Sequence, residues 1–233
     1  MKYVEKFREK DRALIVQLAK KSLKTDEGKE ALAYLKNERN FSDEAIDKFN
    51  IGYCPLSIDH QLRGRIITPL YDAHDNLIVL TTRHLDEKHS SRFWHESFDK
   101  GSFLYGLNCA KYYILKYKKA ILVEGEFDVI ALHSEGFKMT IGVCGSALTF
   151  FQSALLFRYC SEVYIMFDGD TSGKRSIERI MKMYDKYDLD GYKVKYIPVY
   201  LPDNKDPNDC IKEGKEKMKN YLIQAKKNYS LFG

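Results

Sequence analysis

The spacing of apolar residues along the first half of the chain changes from a helical to a strand-like period. Residues 1–24 place apolar side chains at helical spacing among Lys and Arg, which predicts a basic amphipathic helix. Residues 29–37 predict a second helix, and Ser42 is the expected N-cap of a third. Residues 65–85 contain short apolar runs around a polar turn, which predict a β-hairpin. Residues 86–102 are charged and aperiodic, and we interpret them as a loop.

The second half alternates between short apolar runs and helical patterns. This alternation predicts an α/β fold in which helices flank a parallel sheet. We place this sheet in residues 118–228, after a smaller mixed α+β subdomain of basic helices and short strands in residues 1–117. The expected strands are 120–123, 139–143, 163–167 and 194–200, and the expected helices are 127–135, 149–159 and 174–187.

Composition narrows the class of protein. A chain of 233 residues that is 44% hydrophobic can bury a core in one or two domains. It contains no apolar run of about 20 residues that could span a bilayer, and it begins with no apolar leader. We therefore expect a cytoplasmic protein without a membrane partner. The five cysteines are scattered and never spaced as CxxC, so we expect neither zinc nor a disulfide framework.

The net charge of +5 is modest but unevenly distributed. Residues 1–24 hold eight Lys/Arg against three Asp/Glu, and four lysines follow within residues 111–119. Such clusters suit a polyanion such as nucleic acid. A solvated helix face explains each cluster equally well.

Three acidic clusters each follow an apolar strand in the second half. They are Glu124, the pair Asp168 and Asp170, and the segment that begins at Asp206. The carboxyl ends of parallel strands meet at one edge of a sheet, which is where open α/β sheets bind ligands. Carboxylates gathered there would repel one another without a cation, and Mg²⁺ prefers such oxygen ligands. Each cluster alone has a structural explanation as a turn or a helix cap.

The motifs around these acids resemble the Toprim superfamily. Residues 123–130 resemble its Glu-Gly-x-x-Asp pattern, residues 145–147 its Gly-Thr-Ala/Ser turn, and residues 167–173 its Asp-x-Asp-x-x-Gly pattern. Residues 202–214 are similar to a primase pattern Pro-x-x-x-Asp-Pro-Asp that ends in Gly, with Asn208 in place of the second Asp.

Upstream, the resemblance narrows to the catalytic core of DnaG-type bacterial or phage primases. Residues 65–72 resemble the Arg-Ile-x-x-Pro-Ile-x-Asp strand of that family, and residues 104–107 its Leu-Tyr-Gly-Leu. The family's Gly-Gly-Arg appears as residues 81–83, Thr-Thr-Arg. The similarity covers roughly residues 30–228.

This resemblance implies a DNA primase that makes short RNA primers on single-stranded DNA by Mg²⁺-dependent nucleotidyl transfer, with Mn²⁺ as an alternative metal. Glu124, Asp168 and Asp170 would be catalytic, and the same three residues with Asp206 would hold the metal. Glu124 would act either as the general base or as a further ligand. The alternatives are a Toprim nuclease, which uses the same acids to hydrolyse phosphodiesters, and a non-catalytic binder of single-stranded nucleic acid.

The resemblance also implies binding residues and partners. Arg65, Arg83, Arg92 and Lys100 fall where the family binds NTPs and the single-stranded template. The chain contains no zinc-ligand spacing and ends after its Toprim part. We therefore expect a replicative helicase and a zinc-binding module to act in trans.

Overall fold

The computed structural model describes residues 8–57, 61–86, 88–145, 147–186 and 194–232. The chain forms two compact units, residues 1–99 and residues 100–233. The boundary between the two domains that was predicted from the sequence lies after residue 117. The difference arises from helix α4 (Leu107–Tyr117), which packs against the sheet of the second unit.

The first unit is an antiparallel sheet covered by helix α1. Its helices are α1 (Glu9–Leu23), α2 (Lys29–Ala33), which continues as a π-helical segment (Tyr34–Glu38), and α3 (Asp43–Lys48). Its strands, in sheet order, are β1 (Gly52–Cys54), β2 (Arg65–Tyr71), β3 (Leu77–His84) and β4 (Phe93–His95). Helix α1 lies so close to β1 that a Cβ at Gly52 would come within 2.5 Å of the Cβ of Ala19. Val16 and Ala19 of α1 pack with Ile67 and Leu80 of the sheet.

Several local predictions for this unit are confirmed, and one is wrong. The Ser42 hydroxyl accepts a hydrogen bond from the N–H of Ala45 at 3.1 Å, as expected of an N-cap. The predicted hairpin is β2 and β3. The predicted loop 86–102 contains β4, in which Trp94 pairs with Thr82 of β3. A three-residue strand has too little period to be recognised, and its hydrogen bonds come from a partner strand distant in sequence. Residues 1–7 of the predicted basic helix lie outside the described residues.

The second unit is the predicted parallel sheet with flanking helices. Its strands are β5 (Lys119–Val123), β6 (Thr140–Gly142), β7 (Glu162–Ile165) and β8 (Lys195–Pro198). Besides α4, its helices are α5 (Glu126–Ser134), α6 (Phe150–Phe157), α7 (Thr171–Lys186), α8 (Pro207–Lys212) and α9 (Lys215–Phe232), and a short 3₁₀ turn spans Lys100–Ser102. The strands are almost fully buried, which explains why they read as continuous apolar runs.

The order of the parallel strands is β6-β5-β7-β8. The chain therefore leaves β5 for β6 on one side and returns to β7 on the other side. Such a reversal opens a crevice at the carboxyl ends of the two central strands. Glu124 directly follows β5, and Asp168 follows β7 within three residues.

All five cysteines are buried and free. Among the described residues, no helix combines the length and apolarity required to cross a membrane.

Candidate active site

Glu124 lies at the end of β5 with a half-buried side chain. Its Oε1 atom is enclosed and has no hydrogen-bond partner among the described residues. Burial, and then the negative charges of Asp168 and Asp170, raise the pKa of Glu124 to about 7, although the main-chain N–H of Asp168 acts in the opposite direction. The carboxyl group is therefore poised to exchange a proton near neutral pH.

Asp168 occupies the corresponding place after β7. Its Oδ1 atom is also enclosed and without a hydrogen-bond partner in the described ranges. Burial raises the pKa of Asp168 to about 6, with further contributions from the charges of Asp206, Asp170 and Asp209. The fold thus brings the four predicted carboxylates into one electrostatic neighbourhood.

Asp170 and Asp206 differ from this pair because each caps a helix. The Oδ1 atom of Asp170 accepts a hydrogen bond from the N–H of Gly173 at 2.7 Å, in the first turn of α7. The Oδ1 atom of Asp206 accepts from the N–H of Asp209 at 2.6 Å, and Pro207 occupies the first position of α8. One oxygen of each carboxylate therefore stabilises a helix start.

The loops that follow β7 and β8 approach each other closely at Gly169. A Cβ on Gly169 would lie 2.0 Å from the carbonyl oxygen of Pro202, so only glycine fits. The Gly169 N–H donates to the carbonyl of Lys205 at 2.8 Å, and the Asn204 N–H donates back to the carbonyl of Gly169 at 3.4 Å. This close approach places Asp206 beside Asp168.

Asp128 links the first acidic motif to the last. Its Oδ1 atom accepts a hydrogen bond from the main-chain N–H of Asn208 at 3.3 Å, and this contact joins α5 to α8. Asn208 is 1% exposed and stands where the primase pattern has Asp, so its neutral amide adds no buried charge. Asp128 is the Asp of the Glu-Gly-x-x-Asp motif, but it is not among the site residues predicted from the sequence.

The carboxylates of Glu124, Asp168, Asp170 and Asp206 form an acidic edge of the parallel sheet. Oxygen donors of this kind suit a divalent cation. In the ranges that the structure describes, no three His, Cys, Asp or Glu side chains converge as a ready-made ligand set. However, buried polar atoms are nearly always paired, and two carboxylate oxygens here are not. A hard cation with remaining water ligands would satisfy both oxygens and relieve the repulsion among the acids.

Arg83 and Arg92 surround an aromatic side chain in the first unit. The Arg83 guanidinium carbon lies 5.2 Å from the ring centre of Phe93 and 5.9 Å from that of Tyr34. The guanidinium of Arg92 lies 5.6 Å from the ring of Phe93, which is 64% exposed. These cation–π contacts orient both arginines along an exposed ring.

Arg65 has a structural environment. It is 4% exposed and donates to the carbonyl oxygens of Ser91 at 2.7 Å and Arg92 at 3.3 Å. Burial lowers its pKa. These contacts hold the segment that carries Arg92, while direct binding by Arg65 stays a prediction.

Lys100 belongs to the second unit, where its side chain is exposed. The main chain of Lys100 is held by Gln152, which is not among the residues predicted from the sequence. The buried Nε2 of Gln152 donates to the carbonyls of Lys100, Phe103 and Val143 at 3.0, 2.7 and 3.1 Å. The signal that could have found it is the capping box formed by Thr149 and Gln152 at the start of α6.

Comparisons with known families agree with this architecture. The family model of the Toprim domain matches residues 118–197, which contain Glu124, Asp168 and Asp170. The family model of the N-terminal domain of the DNA primase catalytic core matches residues 18–63. Ser146, the central residue of the 145–147 segment that resembles the Gly-Thr-Ala/Ser turn, lies outside the described residues.

Curated relatives are DNA primases that are longer than this chain. A DNA primase of Aquifex aeolicus is 35% identical over 163 residues, which is 68% of this chain and 32% of the relative. A DNA primase of Helicobacter pylori is 30% identical over 224 residues, which is 82% of this chain and 39% of the relative. The chain spans about a third to two-fifths of the length of the primases it matches.

Solved structures show the same fold. A DnaG primase catalytic domain bound to single-stranded DNA matches 91% of this chain and 76% of its own, with a TM-score of 0.81 and 25% identity. The Aquifex aeolicus primase, with its zinc-binding and RNA polymerase domains, matches 94% of this chain and 62% of its own, with a TM-score of 0.76 and 27% identity. With the two family models in the expected order, the chain belongs to the family of DnaG-type DNA primases, and it corresponds to their catalytic core.

Proposed function

We propose that this chain synthesises short RNA primers on single-stranded DNA by Mg²⁺-dependent nucleotidyl transfer. The observation that carries this proposal is that one buried carboxylate oxygen of Glu124 and one of Asp168, at the reversal point of the Toprim sheet, have no hydrogen-bond partner among the described residues. The preceding primase-type domain favours polymer synthesis over phosphodiester hydrolysis, because a Toprim nuclease would not require it.

The acidic residues at this edge would have different roles in nucleotidyl transfer. Asp168, Asp170 and Asp206 would hold the divalent metal, which supplies charge neutralisation for the NTP triphosphate. Glu124 would accept the proton from the 3′-hydroxyl group of the growing primer as general base, or would act as a further metal ligand. Asp170 and Asp206 contribute through carboxylates whose direction is set by the helices that they cap.

The basic residues would bind the substrates. Arg83, Arg92 and Lys100 would contact phosphates of the NTP and the template. Lys100 is exposed, Arg92 is partly exposed, and Arg83 is 8% exposed, with both guanidinium groups near the ring of Phe93. Arg65 would act through the segment that carries Arg92. A zinc-binding module is one proposed partner, since the solved Aquifex aeolicus primase includes a zinc-binding domain. A replicative helicase is proposed as a second partner from the resemblance alone.

The test is RNA synthesis by the purified chain. Labelled NTPs, single-stranded DNA and Mg²⁺ or Mn²⁺ should yield short RNA with the wild type and none with Asp168→Asn or with a chelator. Cleavage of end-labelled DNA without RNA synthesis would identify a nuclease instead. Binding of DNA that survives Asp168→Asn, with neither activity in the wild type, would identify a non-catalytic binder.

Glu124→Gln separates the two roles of Glu124. Glutamine keeps the shape of the side chain but cannot accept the proton, so a general base predicts lost synthesis with retained Mg²⁺ affinity. Titration calorimetry with Mg²⁺ measures that affinity. A collapse of metal affinity together with activity would make Glu124 mainly a ligand.

A further inference from the structure

Helix α7 forms one wall of a cleft that begins at the acidic edge. The cleft has a volume of about 510 Å³. Its lining residues are Asp170, Thr171, Ser172, Arg175, Arg179 and Asn204. Asp170 belongs both to this cleft and to the acidic edge, so the two are continuous.

Among the described residues, the arginines of this cleft have no anionic partner. Arg175 and Arg179 are exposed and lie four residues apart, on the same face of α7. Within the described ranges neither guanidinium forms an ion pair, whereas their neighbour Lys174 is paired with Asp203. Glu178 influences Tyr200 instead, since burial and then this carboxylate raise the pKa of Tyr200. Two arginines without partners in a cleft leave their donors available for an external anion.

The walls of the cleft are held in place by backbone contacts. Gly173 lies so close to the preceding loop that a Cβ would come within 2.1 Å of the carbonyl oxygen of Asp168. Asn204, on the opposite wall, adopts a left-handed conformation with φ of 59° and is bonded through its N–H to Gly169. The cleft is therefore formed before any ligand binds, which lowers the entropic cost of binding.

The shape of the positive charge favours an extended polyanion. Lys182 is exposed one turn beyond Arg179, so residues 175, 179 and 182 form a basic stripe along one face of α7. At 1.5 Å per residue, this stripe is about 10 Å long and leads away from Asp170. Successive phosphates of a strand match a row of cations better than one compact triphosphate does.

We propose that the cleft and the basic stripe of α7 bind the phosphate backbone of a nucleic-acid strand that leads to or from the acidic edge. The proposal rests on the proposed function only for the identity of that strand as template or primer. The hydroxyl groups of Thr171 and Ser172 and the side-chain amide of Asn204 would add neutral hydrogen bonds to phosphate oxygens.

The experiment compares two double variants that remove the same charge from the second unit. Arg175→Ala with Arg179→Ala removes the arginines of the cleft, and Lys219→Ala with Lys227→Ala removes two lysines from α9. Fluorescence anisotropy measures binding of labelled single-stranded DNA and of a labelled RNA–DNA hybrid over a range of salt concentrations. Binding of a fluorescent, non-hydrolysable NTP analogue with Mg²⁺ is measured in parallel.

The arginine variant should bind at least one of the two nucleic acids roughly tenfold more weakly than the lysine variant, as two exposed charge contacts are lost. The slope of log affinity against log salt should fall by about 1.4, because each neutralised phosphate of a single strand contributes about 0.7. Affinity for the NTP analogue and the melting temperature should be unchanged, because both arginines are exposed and unpaired.

Equal binding by the two variants would overturn the proposal, and so would a loss confined to the NTP analogue. Failure of the wild type to bind either nucleic acid would also overturn it. These readouts do not depend on catalysis. A wild type that makes no primer, together with selective loss of strand binding in the arginine variant, would refute the proposed synthesis and retain the strand-binding cleft.

Discussion

In the first unit the buried carboxylate of Glu96 is fully paired. In the second unit the carboxylates of Glu124 and Asp168 each contain an enclosed oxygen with no partner in the described part of the chain. Glu96 is 0% exposed and accepts hydrogen bonds from Nε of Arg12 at 3.0 and 3.1 Å and from the N–H of Leu80 at 2.9 Å. These bonds tie α1 to β3 and to the segment after β4. Nothing comparable among the described residues satisfies Glu124 Oε1 or Asp168 Oδ1.

This difference distinguishes a carboxylate that stabilises the fold from carboxylates that are available to a ligand. A buried ion pair with every oxygen used holds elements together and offers nothing to a ligand. Buried carboxylates that repel one another destabilise the fold, and such groups are concentrated at sites where a cation or a substrate compensates them. The contrast predicts that breaking the Glu96 ion pair lowers the stability of the protein. Removing the charge of Glu124 or Asp168 should instead raise the stability of the metal-free protein.

The largest expected effect is in the first unit. Arg12→Met leaves Glu96 as an uncompensated buried charge and should lower the free energy of unfolding by about 3–5 kcal/mol. Urea unfolding followed by the fluorescence of Trp94, the single tryptophan of the chain, reports on this unit. Adding Glu96→Gln, which keeps an acceptor for the N–H of Leu80, should recover most of the loss. A single variant that loses under about 1 kcal/mol would contradict the structural role of the pair.

The next effect has the opposite sign and lies in the second unit. The raised pKa of Glu124 means that the folded protein binds this proton more tightly than the unfolded chain does. Stability is therefore lost as the pH rises from the ordinary value of 4.5 through about 7. Without metal, Glu124→Gln should be more stable than the wild type by about 1–3 kcal/mol at about pH 8, after allowance for solvent screening.

Urea unfolding in the presence of a chelator measures this difference across the pH range. The advantage of Glu124→Gln should vanish as the pH falls to the ordinary range of the carboxyl group. Asp168→Asn should behave alike, with its window between 3.8 and about 6. A stability difference that does not change with pH would show that repulsion and burial of the charged form are not its cause.

A smaller effect should separate the two roles of Asp170. Asp170→Ala and Asp170→Asn both remove the charge that repels Glu124 and Asp168, but only asparagine keeps an oxygen that can cap α7. The Ala variant should therefore be about 1 kcal/mol less stable than the Asn variant. Both variants remove the carboxylate charge, so both should lose primer synthesis. Circular-dichroism melting and the synthesis assay measure the two effects separately. Equal stability of the Ala and Asn variants would show that the cap contributes nothing.

The smallest effect on stability is expected at Lys100. Its side chain is exposed, so Lys100→Ala should change the free energy of unfolding by no more than about 0.5 kcal/mol. If it binds a template phosphate, the salt slope of single-stranded DNA binding should fall by about 0.7. Gln152→Ala is the contrasting variant, because it removes the bonds that hold the main chain of Lys100 and should reduce stability as well. An unchanged slope in Lys100→Ala would place this lysine outside the binding surface.

The sequence by itself determined the features whose signals are local. Alternating apolar runs and helical patterns predicted the parallel sheet, because a strand buried on both faces must be continuously apolar. Ser42 was recognised as an N-cap because its hydrogen bond closes over three residues. The order of the acidic motifs, each after a strand, predicted which carboxylates would meet at one edge.

Only the tertiary structure decided the features that depend on partners distant in the chain. Strand β4 exists because β3 supplies its hydrogen bonds, and α4 joins the second unit because its apolar face packs on that sheet. Arg65, predicted only as a substrate-binding residue, has contacts that hold a neighbouring segment, and Gln152, which drew no attention in the sequence, fixes the loop of Lys100. A side chain of given type can pair, cap or stay unpaired, and which of these it does depends on the atoms that folding brings within hydrogen-bonding distance.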